Sequence, residues 1–107
     1  MSMIFFDTEL LEEVREYRKI KPARLSLELT AKKKDRPPRA NLWRELLENG
    51  GMCQSLENAS LIVNWYGSLD CISHCDERAK TMLSDMLEEY QEEQRYISEH
   101  EFDVVKY

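Results

Sequence analysis

The residue types best suited to chemistry in this 107-residue chain cluster in the pentapeptide CISHC, residues 71–75. Cys71 and Cys75 are four residues apart, His74 lies next to the second cysteine, and Cys53 would bring the number of thiols to three. Three cysteines and a histidine are a frequent ligand set for structural zinc. Zinc sites, however, use cysteine pairs on turns, and on a helix His74 would point about 100° away from Cys75. We therefore predict no metal site.

Outside the pentapeptide, the sequence contains few residues in arrangements that are typical of enzymes. Redox-active cysteines have the spacing C-x-x-C at a helix N-terminus, which this C-x-x-x-C pair does not match. His74 and His100 are far apart in the sequence, and the phosphate-binding, serine-hydrolase and zinc-protease motifs do not occur in it. Carboxylates are plentiful, but acid–base catalysis needs two of them in a pocket with different pKa values. We expect a protein that is not an enzyme and needs no cofactor.

The charges of the chain are unevenly distributed along its length. The net charge is −6, but residues 1–53 carry 11 basic and 9 acidic side chains, whereas residues 54–107 carry 4 basic and 12 acidic ones. Such an asymmetry bears on the choice of partners rather than on the fold. This uneven distribution of charge defines two candidate binding regions, one acidic and one basic.

The acidic region contains the stretch SDMLEEYQEEQ, residues 84–94, which has five carboxylates and no lysine or arginine. On a helix, most of these carboxylates fall within an arc of about 100°, and pairs four residues apart are like-charged, which costs a few tenths of a kcal/mol each. We call this set the acidic stripe, and it comprises Asp85, Glu88, Glu89, Glu92, Glu93 and Glu99. Three explanations remain open: a solvated face, an internal partner for the basic region, or a surface that binds a cationic partner.

The basic region runs from Arg18 to Arg39 and holds nine basic and two acidic side chains. It could contact phosphates, with Trp43 stacking on a base. Its candidate residues for nucleic-acid binding are Arg24, Lys32, Lys33, Lys34, Arg36 and Arg39. The other interpretation is a solvated, mobile connection around residues 32–39.

Composition and periodicity predict the elements that must position these residues. Three glycines and three prolines are few for an all-β protein, and the long segments rich in leucine, glutamate, lysine and arginine favour helices. We predict a single domain, residues 1–107, that folds as an all-α bundle of four or five helices with a short extended C-terminal tail.

The first half of the chain predicts three helices. Asp7 is a favourable N-cap for the first helix, which should end by about Lys21 because Pro22 follows. Residues 23–34 fit a strand by their alternating leucines, but Pro22 suits a first helical position, so we favour a helix there. Residues 38–49 form the third predicted helix, with Pro38 at its first position and Gly50 after its end.

The second half predicts two long helices. Residues 55–75 are apolar over more than half of a helical wheel, which indicates a central helix, with a break at Gly67 as the alternative. The last helix is predicted from about Asp76 to Ser98, capped by the SHCD sequence of residues 73–76. Its apolar seam comprises Ala79, Leu83, Met86, Tyr90 and Ile97, widened by Met82 and Leu87. The final EFDVVKY is predicted to be extended, and it could lie against the MIFF of residues 3–6.

These observations favour a binding module over an enzyme. Our first interpretation is a small inhibitor or regulator whose acidic stripe docks on a basic, nucleic-acid-binding surface of a partner protein. The alternatives are nucleic-acid binding by the basic region and a structural homodimer through the last helix. No apolar run approaches the ~20 residues of a membrane span, and an odd number of cysteines favours a reducing compartment, so we expect a cytoplasmic protein.

Overall fold

A computed structural model describes residues 3–33 and 35–105, and within these it describes the side chains up to Ser98. The described part is mostly helical but also contains a small three-stranded antiparallel sheet, so the predicted all-α bundle is only partly correct. The helices are α1 Thr8–Tyr17, α2 Pro22–Thr30, α3 Leu42–Glu48, α4 Leu56–Tyr66 and α5 Glu77–Val105. The strands are β1 Ile4–Phe6, β2 Met52–Cys53 and β3 Ile72–His74, and a 3₁₀ turn spans Leu69–Cys71.

The sheet has β1 at its centre, with β2 and β3 on either side. Ile4 pairs with Cys53 and Phe5 with His74, while the side chains of Ile4 and Phe6 point into the core. Gly51 makes the close approach of β2 possible, because a Cβ at its positive φ of 92° would collide with the carbonyl oxygen of Phe6. The segment predicted to lie against the C-terminal tail therefore pairs with the middle of the chain instead.

The predicted N-cap of α1 and the predicted first residue of α2 are confirmed. The carboxylate of Asp7 accepts a hydrogen bond of 3.1 Å from the amide of Leu10, and Pro22 occupies the first turn of α2. α1 ends at Tyr17, within the predicted limit of about Lys21, and Lys19 then turns the chain with a φ of 58°. Residues 22–30 are helical, so the strand alternative for this segment is wrong.

α3 is shorter than predicted because its first residue is Leu42 and not Pro38. Residues 37–40 are exposed and irregular, and Asn41 is the N-cap. The predicted end is confirmed, since the cap is Asn49 and Gly50 follows it with a left-handed φ of 65°.

The predicted central helix of residues 55–75 is wrong beyond its first half. α4 ends at Tyr66, and Gly67 terminates it in the left-handed conformation with a φ of 103°. The chain then makes the 3₁₀ turn and enters β3, which pairs with β1. The alternative prediction of a break at Gly67 has the right position, but the residues after it form a turn and a strand rather than another helix.

α5 begins as predicted but continues further. Asp76 is its N-cap, because its carboxylate accepts a hydrogen bond of 2.7 Å from the amide of Ala79. Ser73 takes no part in that cap and donates to the carbonyl of Phe5 instead. The extended tail is also a wrong prediction for residues 101–105, which are helical; Lys106 and Tyr107 lie outside the described residues.

One hydrophobic cluster holds these elements together. α5 contributes Ala79, Leu83 and Leu87, which pack mainly against α4. Burying one leucine fully stabilises the fold by about 1.5–3 kcal/mol, so a few such residues suffice to anchor a helix. Within the described residues, no helix is both long enough and apolar enough to cross a membrane.

Candidate interaction site on helix α5

α5 consists of a packed half and a projecting half. Ala79, Leu83 and Leu87 are buried, whereas every side chain from Gln91 to Ser98 is exposed. The helix has 29 residues and is therefore about 43 Å long, which accounts for most of the 49 Å longest dimension of the molecule. The radius of gyration of 14.8 Å also exceeds the roughly 13 Å of a compact domain of this length. We call residues 92–98 the overhang.

Two side chains of α5 are bonded to the rest of the molecule just before the overhang begins. At one end of α4, the side-chain amide of Gln91 donates a hydrogen bond of 3.2 Å to the carbonyl of Gly67. At the other end, Lys33 donates to the Oδ1 of Asn58, and the neighbouring Lys32 reaches Tyr90 of α5. These contacts anchor α5 at residues 90 and 91.

The described side chains of the acidic stripe, Asp85, Glu88, Glu89, Glu92 and Glu93, all face solvent. None of the ion pairs or hydrogen bonds between described side chains joins one of these carboxylates to a lysine or an arginine. The side chain of Glu99 lies outside the described residues, although its backbone continues the helix. The structure thus brings five of the six predicted residues onto one exposed face and gives them no cationic partner among the described side chains.

Lys32 and Lys33 of the basic region are both engaged inside the molecule. The ammonium of Lys32 lies 5.1 Å from the ring centroid of Tyr90 and 3.4 Å from its hydroxyl, a cation–π contact. The side chain of Lys33 is only 8% exposed, bonds to Asn58 and lies 4.0 Å from the carboxylate of Glu57. A lysine this deeply covered cannot make the direct phosphate contacts predicted for it.

The arginines of the basic region are distributed rather than gathered. Arg24 pairs with Glu28 at 3.1 Å along α2, and Arg39 lies 3.7 Å from Glu45. Arg36 is exposed and has no ion pair among the described residues. Lys34 lies outside the described residues, so its part in the predicted nucleic-acid site has no structural description.

Trp43, predicted as a base-stacking residue, is fully buried. Its ring packs edge-on against Trp65 with centroids 5.5 Å apart, and the guanidinium of Arg18 covers the other tryptophan at 4.5 Å. Arg18 also donates a hydrogen bond of 2.8 Å to the carbonyl of Trp65. Trp43 is therefore not available to stack on a base, whereas Trp65 is half-buried and Arg18 stays exposed beside it.

The three thiols are free cysteines, and they sit in positions that suppress their reactivity. Burial raises the pKa of Cys71 to about 12, and burial likewise raises the pKa of Cys53 and of Cys75 above its ordinary value. His74 is exposed, with its ring 6.2 Å from that of Phe5. Among the described residues, no group of three or more histidines, cysteines and carboxylates is placed to hold a metal ion.

A cavity of about 420 Å³ beside β3 brings several of these groups to one surface. His74 and Cys75 line it together with Asp70, Glu77 and Lys80. Cys75 is a poor nucleophile there because burial and the neighbouring Asp76 both raise its pKa. Among the described side chains, no hydrogen bond joins the free thiol of Cys75 to the imidazole of His74, and such a bond is what activates a cysteine nucleophile.

Exposed apolar side chains on α5 are a feature that the helical pattern does not reveal. The pattern predicts Met82 and Ile97 in the buried seam, yet they are 42% and 47% exposed. The sequence contains one signal of this: the seam passes from Tyr90 to Ile97 with Gln94 at the intervening apolar position. A polar residue there indicates that the core ends before the helix does.

The chain matches no protein-family model, and comparisons with curated proteins and with solved structures found no match either. The contacts and charges of the described residues are therefore the basis for a function.

Proposed function

We propose that this chain is a non-enzymatic binding module whose acidic stripe docks on a basic surface of a partner protein. The surface that fits best is one that otherwise holds nucleic acid, because the stripe presents a row of negative charges about 6 Å apart along a rigid helix. In this role the protein is a small inhibitor or regulator that occupies the site of a phosphate backbone.

The observation that carries the proposal is the contrast between the acidic and the basic side chains. The described carboxylates of the stripe are exposed and have no ion pair with a described cation, whereas Lys32, Lys33 and Arg39 are engaged by neighbours in their own molecule. Like-charged pairs four residues apart, such as Glu88 with Glu92, oppose the helix by a few tenths of a kcal/mol each. A cationic partner would remove that repulsion on binding.

The position of the stripe also suits docking. It continues from the packed half of α5 onto the overhang, so that part of it is held rigidly and part extends away from the body. A single-sign surface of this kind steers an oppositely charged partner and speeds its association, with a strong dependence on salt. We expect binding to weaken steeply as ionic strength rises.

The test uses two variants with the same change in net charge. Glu88, Glu89, Glu92 and Glu93 are changed together to glutamine, and the control carries the same four-charge change at Glu9, Glu13, Glu16 and Glu48. The unmodified chain captures partners from an extract of its source cells, mass spectrometry identifies them, and calorimetry measures the purified candidate with each variant.

We expect the stripe variant to lose at least tenfold in affinity while the control variant binds like the unmodified chain. Nucleic acid should compete with the unmodified chain for the purified partner. If the stripe variant binds with unchanged affinity and unchanged salt dependence, the proposal is wrong.

Nucleic-acid binding by the basic region remains the second proposal. The contacts of the basic side chains within the chain favour it less than the first. Of its six candidate residues, four have partners inside the chain, and Lys33 is nearly inaccessible. Mutating Lys32, Lys33 and Lys34 together to glutamine should flatten the salt dependence of any DNA or RNA affinity, because the variant neutralises fewer phosphates and so releases fewer counterions. The proposal fails if neither nucleic acid binds even at low salt.

A further inference from the structure

The connection between α2 and α3 presents two consecutive prolines at the surface. Every residue from 35 to 40 is exposed, and residues 37–39 form no helix, strand or turn. The rings of Pro37 and Pro38 are therefore apolar groups that take no part in the hydrophobic core of their own chain. We call residues 35–39 the proline segment.

The backbone of the proline segment is fixed by its own chemistry. Each proline ring sets φ near −65°, and Pro38 keeps the residue before it out of the helical region. The described peptide bonds are all trans, so Pro37 and Pro38 adopt the polyproline II conformation. Three residues make one turn of about 9 Å in this conformation, which puts Arg36 and Arg39 on the same side and the proline rings on the other two.

Both ends of the segment are held by covered side chains. The hydroxyl of Thr30, which is 2% exposed, accepts a hydrogen bond of 2.7 Å from the amide of Arg39 and lies 3.2 Å from the carbonyl of the same residue. Before the segment, the nearly inaccessible Lys33 donates to Asn58 of α4. A segment that is ordered in this way loses little conformational entropy when a partner binds it.

The exposed groups of the segment define the chemistry of a partner. Prolines carry no N–H, so their backbone offers carbonyl acceptors and apolar rings, which suit a groove between aromatic side chains whose hydroxyl or indole N–H donates to the carbonyls. Arg36 is exposed without an ion pair among the described residues, and the exposed Arg39 shares Glu45 only at 3.7 Å. Carboxylates at the border of the groove would complement both arginines.

We propose that the proline segment binds a groove of a partner protein that is formed by parallel aromatic side chains and bordered by carboxylates. The proposal does not depend on the acidic stripe, which lies on α5 and has the opposite charge. It also differs from nucleic-acid binding by the same arginines, because phosphate contacts depend on charge alone, whereas an aromatic groove also requires the proline rings.

Calorimetry with purified modules tests the contact. A panel of SH3 and WW domains provides grooves of this chemistry, and the unmodified chain should bind at least one of them below about 1 mM. Changing Pro37 and Pro38 together to alanine should weaken this binding at least tenfold. If no module binds, or if the double variant binds as tightly as the unmodified chain, the proposal is wrong.

Two variants with matched charge test the part of the arginines. Arg36→Gln should weaken module binding severalfold and reduce its salt dependence, whereas Arg44→Gln, which changes an exposed arginine of α3, should leave both unchanged. The variant of the acidic stripe should also bind the module like the unmodified chain. DNA or RNA affinity that Arg36→Gln lowers and the double alanine variant retains, without binding of any module, would assign the segment to nucleic acid instead.

Hydrogen exchange tests whether the segment is held before binding. In the unmodified chain, the amide of Arg39 should exchange at least tenfold more slowly than in an unfolded chain, because it donates to a buried hydroxyl. Thr30→Val should remove this protection and weaken module binding severalfold, and Thr30→Ser, which keeps the hydroxyl, should preserve both. Circular dichroism checks that the variants fold. An unprotected Arg39 amide in the unmodified chain would contradict a preformed segment.

Discussion

The packed and the projecting halves of α5 belong to one continuous helix, yet different forces hold them. In the packed half, Ala79, Leu83 and Leu87 are covered by neighbours, whereas in the overhang even Ile97 is 47% exposed. The packed half is helical because its apolar side turns toward a core. The overhang depends on the intrinsic preference of glutamate, glutamine and arginine for helix and on continuation from a helix that is already nucleated. Apart from the polar Gln94 at an apolar position of the seam, the periodicity of the sequence does not distinguish the packed half from the overhang.

Truncating one apolar side chain in each half should separate them most clearly. We expect Leu83→Ala to lower the free energy of unfolding by about 2–5 kcal/mol because it leaves a cavity in the core. Ile97→Ala in dilute protein should change it by less than about 0.5 kcal/mol, as exposed positions usually do. Urea unfolding followed by circular dichroism measures both. Similar losses for the two variants would mean that the overhang is packed in solution.

Removing the charges of the stripe should have a smaller effect of the opposite sign. Changing Glu88, Glu89, Glu92 and Glu93 to glutamine removes three like-charged pairs, at roughly 0.2–0.5 kcal/mol each, so we expect the free energy of unfolding to rise by about 1 kcal/mol. Thermal and urea unfolding of the dilute protein measure the gain.

The matched control for this gain is Glu9→Gln with Glu13→Gln, which removes one such pair from α1. There the gain should be offset, because Glu9 lies in the first turn, where a carboxylate is favourable to the helix. If the melting temperature of the stripe variant falls instead, and falls more at low salt, the carboxylates have a cationic partner inside the chain.

The smallest effect is expected at the border between the halves, where Lys32 covers Tyr90. Lys32→Ala removes an exposed cation–π contact, and we expect the free energy of unfolding to fall by about 0.5–1 kcal/mol. Lys32→Arg should retain most of the contact, because a guanidinium stacks on an aromatic ring as well as an ammonium does. A loss well above this range for Lys32→Ala would indicate that Lys32 anchors α5 by more than this contact.

The features that depend on interactions between neighbouring residues could be predicted from the sequence. Asp7 and Pro22 mark the starts of α1 and α2 because capping and the fixed φ of proline act within a few residues. The exposure of Glu88, Glu89 and their neighbours also follows from helical spacing alone. In each case the relevant interaction lies within one or two turns of the residue concerned.

Features that depend on distant segments were not predictable in this way. The apolar pattern of residues 55–75 continues smoothly past Gly67 on a helical wheel, and only pairing with β1 turns residues 72–74 into a strand. Strands of two or three residues are also too short to show an alternation. Lys33 looks exposed in the sequence of its own segment. In the structure its side chain is covered and bonds to Asn58, which is 25 residues away in the sequence.

The central position of β1 has a consequence for the order in which the chain acquires its structure. Ile4 pairs with Cys53, and Phe5 with His74, so both partners of β1 are synthesised dozens of residues after it. Until the ribosome has released His74, the apolar side chains of Ile4 and Phe6 have no complete sheet to join. The backbone hydrogen bonds of helices α1 to α4 join residues only four apart and can form early, whereas closing such long loops is slow. We expect sheet closure to be the last step of folding on the ribosome, and the nascent chain to expose an aggregation-prone apolar segment until then.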